Sequence, residues 1–278
     1  MKFSGLYYIP THASPSDAST TLLSSLISNI ESRYENYTRQ PNWTLSHRLL
    51  RSVPPPQASA PPNQLAPLSY QHVLHLSYLS ASKTYCYIQP SVPPQTPRIK
   101  SEPGSQSQSQ SLTVKVQPSP AGALIAIPSS QTESHLSLLI NQFSPLWAYR
   151  QTLSIPNGIA YSIGEFTIFL GDLRLSRSGT ASSSNTTSPG TVVCISTSVA
   201  DGEEEMNEDS ASVVADPDDL AQEVDQTAKT VRDFWDSIKK GIEFGKVEMK
   251  EVMMDKLAFK DEGEGIVRMW CEVLRLRG

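Results

Sequence analysis

Residues 147–173 read WAYRQTLSIPNGIAYSIGEFTIFLGDL, and their pattern decides the fold class. Three runs are strand-like: Trp147 to Ile155, Ile159 to Ile163, and Phe166 to Leu173. Within them apolar residues recur at the period of two that a half-buried strand shows. Pro156-Asn157-Gly158 separates the first two runs, and because Asn-Gly tolerates two positive φ angles the spacing predicts a tight hairpin there.

Working outward, Lys2 to Ile9, Trp43 to Val53, His72 to Leu79, Thr84 to Ile88, Leu112 to Val116, Ala121 to Ile127 and Thr191 to Thr197 also read as strands. A helix start is marked by Ser14-Pro15-Ser16-Asp17, and Leu22, Leu23, Leu26, Ile27, Ile30 and Tyr34 then form one apolar stripe. A second helix is expected over Gln131 to Phe143, with Leu136, Leu139, Ile140 and Phe143 inward. A third follows Asp216-Pro217 and carries Leu220, Val224, Val231, Trp235 and Ile238; a last one carries Val267, Trp270, Cys271 and Leu274. The expected architecture is α+β: an antiparallel β-barrel or half-barrel of about eight strands with flanking helices, since closing a sheet removes its aggregation-prone edges.

The chain is 278 residues long and carries 21 Pro and 40 Ser. Thirteen of the prolines fall between Pro54 and Pro120. Low-complexity sequence is therefore concentrated, and residues 1–278 are expected to form one domain with disordered insertions at about 54–67, 89–111, 176–190 and 200–215. No window holds the roughly 20 apolar residues of a membrane span, and no apolar signal core precedes Pro10, so the expectation is a soluble, non-secreted protein. Net charge is −5, the wrong sign for a chain that binds nucleic acid through phosphate contacts. From Ser178 to Ala228 there is no Lys or Arg, and the acidic run around Glu203 to Glu205 reads as a solvated connector, or else as a contact for a basic partner.

Chemistry is sparse. Cys86, Cys194 and Cys271 form no CxxC pair and read as buried or incidental thiols. Of the histidines, His72 and His75 lie three apart on a strand and so on opposite faces, which argues against a shared metal. Glu165 and Asp172 are also an odd number of residues apart and read as turn-flanking acids. Neither a nucleophile elbow nor a phosphate-gripping Gly-rich loop is present. The expectation is a non-enzyme with no cofactor and no metal, its interior filled by side chains. The alternative is a barrel phosphohydrolase of the triphosphate-tunnel kind, which would need a charged lumen.

Several segments, in order along the chain, resemble the Mediator complex subunit 20 family: Gly5-Leu6-Tyr7-Tyr8-Ile9-Pro10, Trp43 to Leu49, Trp147 to Leu153, Asn157 to Phe166, Leu170 to Arg174, and Arg232-Asp233-Phe234-Trp235. The resemblance implies a non-enzymatic nuclear coactivator subunit of the Mediator head module, bridging activators and RNA polymerase II. It further implies a barrel fold paired with subunit 18 and attached through a segment of subunit 8, with polymerase contacted indirectly and neither membrane nor nucleic acid bound directly. Arg150 and Gln151, polar within an apolar strand, are the first candidates for the partner interface, with Trp147, Phe166, Val193 and Ile195 beside them. Ile99-Lys100-Ser101-Glu102 matches the short apolar-Lys-x-Glu modification pattern.

Overall fold

The computed structural model describes residues 2–11, 18–54, 68–89, 122–176, 187–198, 217–244, 247–254 and 262–275. Strands are β1 (Lys2–Pro10), β2 (Tyr37–Ser52), β3 (Tyr70–Leu76), β4 (Lys83–Gln89), β5 (Ala123–Pro128), β6 (Trp147–Ile163), β7 (Phe166–Ser176), β8 (Thr187–Ser198) and β9 (Lys250–Met253). Helices are α1 (Ala18–Arg33), α2 (Thr132–Asn141), α3 (Pro217–Lys239) and α4 (Glu262–Leu274). All nine strands join one antiparallel sheet in the order β5-β4-β3-β2-β6-β7-β8-β1-β9. The α+β class and flanking helices agree with the sequence. Among the described residues the sheet has nine strands, close to the eight expected, and no ladder joins β5 to β9, so the half-barrel fits roughly and a closed barrel does not form.

The centre of the sheet is covered on both faces. One face, carrying Tyr7, Tyr161, Ile168, Val193 and Ile195, lies under α1 and α3, where Trp235 stacks on Tyr7 at 4.8 Å. α1 and α3 are tied by the Tyr34 hydroxyl against Ser237 Oγ at 2.6 Å, and the Tyr161 hydroxyl donates to Glu31 of α1 at 2.6 Å. On the opposite face lies α4, which touches β1 and β9 on one side and β3 and β4 on the other. A helix held between two surfaces must be apolar nearly all round, and Ile266, Val267, Met269, Trp270, Cys271, Val273 and Leu274 are all buried. Its polar side chains bridge what the sheet leaves open. Arg268 donates to the Tyr87 hydroxyl and the Gly122 carbonyl at 3.0 Å each, and Lys250 Nζ donates to the Glu272 carbonyl at 2.8 Å.

The Asn157-Gly158 hairpin is not formed. β6 runs unbroken through it, and the pair instead marks register shifts against β2 and β7. Trp43 is the cause: a Cβ on Gly158 would stand 2.4 Å from its indole ring, so glycine here makes room for a tryptophan rather than for a turn. The true β6–β7 turn is Gly164-Glu165, with Gly164 at φ 55°. Four further differences are local. α2 buries Leu136 and Leu139 but leaves Ile140 and Phe143 exposed. β8 begins at Thr187, inside the loop expected over 176–190. β9 was not read as a strand, and Asp172 sits within β7 rather than beside a turn. The helix start at Ser14 to Asp17, the strand at Leu112 to Val116, Lys100, the side chain of Leu220 and nearly all of the four insertions lie outside the described residues.

Candidate functional site

The six interface candidates are spread over the molecule rather than gathered. Val193 and Ile195 are 0% exposed beneath α1 and α3, so the chain's own helices cover these two candidates. Phe166 is half-buried and stacks on Phe234 of α3 at 3.9 Å. Gln151, at 6% exposure, points into the interior, and its Nε2 has no hydrogen-bond partner among the described residues. Arg150 is exposed, and Trp147 is half-buried against a small second core of Leu50, Val73, Cys86, Leu136 and Leu139. Arg150, Trp147 and Phe166 thus keep some exposed surface, whereas Gln151, Val193 and Ile195 do not.

Surface apolar area gathers in the same part of the fold. Among the described residues, seven of the eight large exposed hydrophobics, Val53, Ile88, Ile125, Leu138, Ile140, Phe143 and Leu146, belong to the strands and helix around this second core or to the chain just beside them. Ile125 at 56% and Leu146 at 57% are the most exposed. α2 is short, and only Leu136 and Leu139 of its apolar side chains pack on the sheet. Scattered exposed apolar residues are ordinary, but a concentration of this kind marks an interaction surface.

Beneath α4 the strands carry a buried polar row that sequence reading missed. His47 Nε2 and His72 Nδ1 are 3.0 Å apart, and both rings are fully buried. Register creates the pair: His47 stands opposite Leu74 on β3, which brings its ring diagonally against His72. Burial, with His72 adding to it, holds His47 well below the ordinary imidazole range. Burial likewise pulls His72 down to about 4; Gln89 opposes this shift and Arg275 adds slightly to it. One neutral ring donates to the other. Among the described residues His47 Nδ1, Gln151 Nε2 and Arg51 Nε have no hydrogen-bond partner.

Little else has the makings of reactivity. The three cysteines are buried and free, and burial pushes the thiols of Cys86 and Cys194 up to about 11 and about 12 and raises that of Cys271 as well. Asp172 accepts from Ser19 and Ser188 at 2.5 Å each, fixing α1 and β8 to β7. Among the described residues no three His, Cys, Asp or Glu are grouped so as to hold a metal ion. The face that meets α4 is filled with aromatic rings: Trp43, Tyr78 and Phe169 pack together with Trp270 of α4, and Trp270 Nε1 donates to the Tyr78 hydroxyl at 2.7 Å.

A family model described as the TATA-binding related factor (TRF) of subunit 20 of the Mediator complex matches residues 8–262. The chain belongs to the Mediator subunit 20 family. The match spans every strand from β2 to β9 and the end of β1, so nearly the whole sheet is Mediator subunit 20 sequence rather than one motif grafted on another fold. Among solved structures the chain is similar to one of the Schizosaccharomyces pombe Mediator head module, at 10% identity and a TM-score of 0.32, covering 91% of this chain and 99% of that one. No curated protein matches the chain.

Proposed function

We propose that the protein is a non-catalytic subunit of the nuclear Mediator coactivator, a scaffold of the head module that pairs with subunit 18, is held by a segment of subunit 8, and through these contacts links activators to RNA polymerase II. The observation that carries this reading is the family match over residues 8–262. Two structural features support it. The interior is packed with α4 and aromatic rings instead of the charged lumen that a triphosphate-tunnel phosphohydrolase needs. The exposed apolar side chains are concentrated around α2, as a surface awaiting a protein partner requires. No cofactor is invoked, and the acidic net charge gives no support to direct DNA binding.

Co-expression with subunit 18 tests the reading. The expected result is a soluble 1:1 heterodimer burying on the order of 1,600 Å² or more. A stable, monodisperse monomer with no affinity for subunit 18 overturns it and returns the phosphohydrolase to the front.

A further inference from the structure

The two ends of the sheet are not equivalent as edges. β9 is four residues long and charged: Glu251 pairs with Arg232 at 2.7 Å, and Lys250 reaches α4. Short length and charge are the usual means by which a sheet end is closed to foreign strands. β5 has neither. Its six residues, Ala123-Leu124-Ile125-Ala126-Ile127-Pro128, carry no charge and contain no bulge, and proline occurs only at the last position. Among the described residues β4 is its single neighbour, so the backbone groups of alternate residues point outward along a regular ladder edge.

Side chains beside that edge extend the same chemistry. Ile125 pairs with Cys86 and Ala123 with Ile88, which places Ile88 and Ile125 on the face where Cys86 joins the small core under α2. Both isoleucines are exposed, so apolar surface runs from α2 to the sheet end without a charged side chain on β5. A flat patch alone does not specify what covers it. A free ladder edge does, because only an extended backbone matches its alternating N–H and C=O groups.

We propose that β5 is a strand-acceptor site, on which an extended, uncharged segment of another Mediator subunit, with apolar side chains at alternate positions, pairs as a tenth strand and covers Ile88 and Ile125. This rests on the Mediator scaffold reading above and names the chemistry of the contact. The test uses the full chain co-expressed with subunit 18 and the subunit 8 segment, in wild-type form and with Ala126→Pro or Ile125→Lys. The first removes a ladder donor and the second places a charge on the covered face. Ile125 is exposed and Ala126 lies on a terminal strand, so each variant is expected to keep the thermal midpoint of the isolated chain. Co-purification of partner is expected to fall by roughly tenfold or more. Amide exchange supplies a second readout that does not depend on the variants: residues 123–128 of the wild type should exchange freely in the isolated chain and slow by about tenfold or more in the complex.

Failure to co-purify with the wild type overturns the scaffold reading itself. If the wild type binds and both variants bind equally well, or if amides 123–128 are no slower in the complex, the scaffold reading stands and the strand-acceptor site is overturned. Protection of 123–128 in an isolated monomer, or only in a dimer of this chain, overturns it too, because the edge is then covered from within or by a second copy.

Discussion

Val192-Val193-Cys194-Ile195 on β8 and Leu124-Ile125-Ala126-Ile127 on β5 are equally apolar, yet the first four residues are wholly buried and none of the second four is. The difference lies in their neighbours. β8 stands between β7 and β1 and is covered by α1 and α3 on one face, with the Tyr78 hydroxyl against Cys194 on the other, whereas β5 ends the sheet beside a two-leucine helix contact. Apolar content thus tells how much cover a strand needs, and topology tells whether the chain supplies it or a partner must.

If the central half carries the stability, the largest loss should come from Trp235→Ala. Its ring is buried and stacked on Tyr7, and truncation is expected to cost about 3–5 kcal/mol in urea unfolding. An unchanged midpoint with loss of partner would mean that α3 serves the interface rather than the core. In the smaller half, Leu139→Ala should cost about 2–3 kcal/mol and leave the near-ultraviolet signal of the Tyr7–Trp235 stack intact until global unfolding. A collapse of that signal at the first step would show that the two halves are one cooperative unit.

Acid should weaken the fold by another route, through the opposite face of β2 and β3. The folded imidazole of His72 titrates at about 4 against the ordinary 6.5, so the unfolded chain takes up the proton first. Stability is then complete above about pH 6.5 and lost as pH falls toward 4, by about 1.4 kcal/mol for this residue at pH 5.5. His47 is shifted in the same direction and adds to the loss. Replacing both rings, His47→Leu with His72→Leu, should flatten denaturation midpoints between pH 7 and 5; a slope that survives the double change must come from other groups. The smallest effect belongs to Arg48→Ala, which removes a 2.6 Å pair with the exposed Glu133 of α2 and should cost below about 1 kcal/mol. A larger loss would show that this pair, rather than the leucines, holds α2 in place.

Elements were legible in the sequence wherever an apolar pattern had to be buried. The apolar stripes of α1 and α3 follow from helical periodicity because each packs as a single layer against the sheet, and β1 and α4, buried on nearly every side, stand out by apolar content. What depended on pairing was not. Gly158 looks like a turn residue until Trp43, 115 positions away, lies against it. His47 and His72 look unrelated until the β2–β3 register sets their rings together. Ile140 and Phe143 keep the helical spacing of Leu136, but α2 reaches its end before the sheet can cover them. At the candidate surface, Arg150 was legible as a polar residue in an apolar strand. The role of β5 was not, since no local pattern distinguishes a terminal strand from an internal one.

The position of β1 has a consequence for how this chain is made. Leu6 pairs with Cys194 on one side and with Val252 on the other, so both partners of β1 are synthesised long after it. At about 5–20 residues per second, a ribosome needs roughly 10–40 s to extend the chain from β1 to β8. Throughout that interval Phe3, Leu6, Tyr7, Tyr8 and Ile9, all buried in the finished fold, have no ladder to join. The nascent chain therefore carries an unpaired apolar strand ahead of it until β8 emerges, and the yield of native protein depends on keeping those nine residues from pairing with anything else in the meantime.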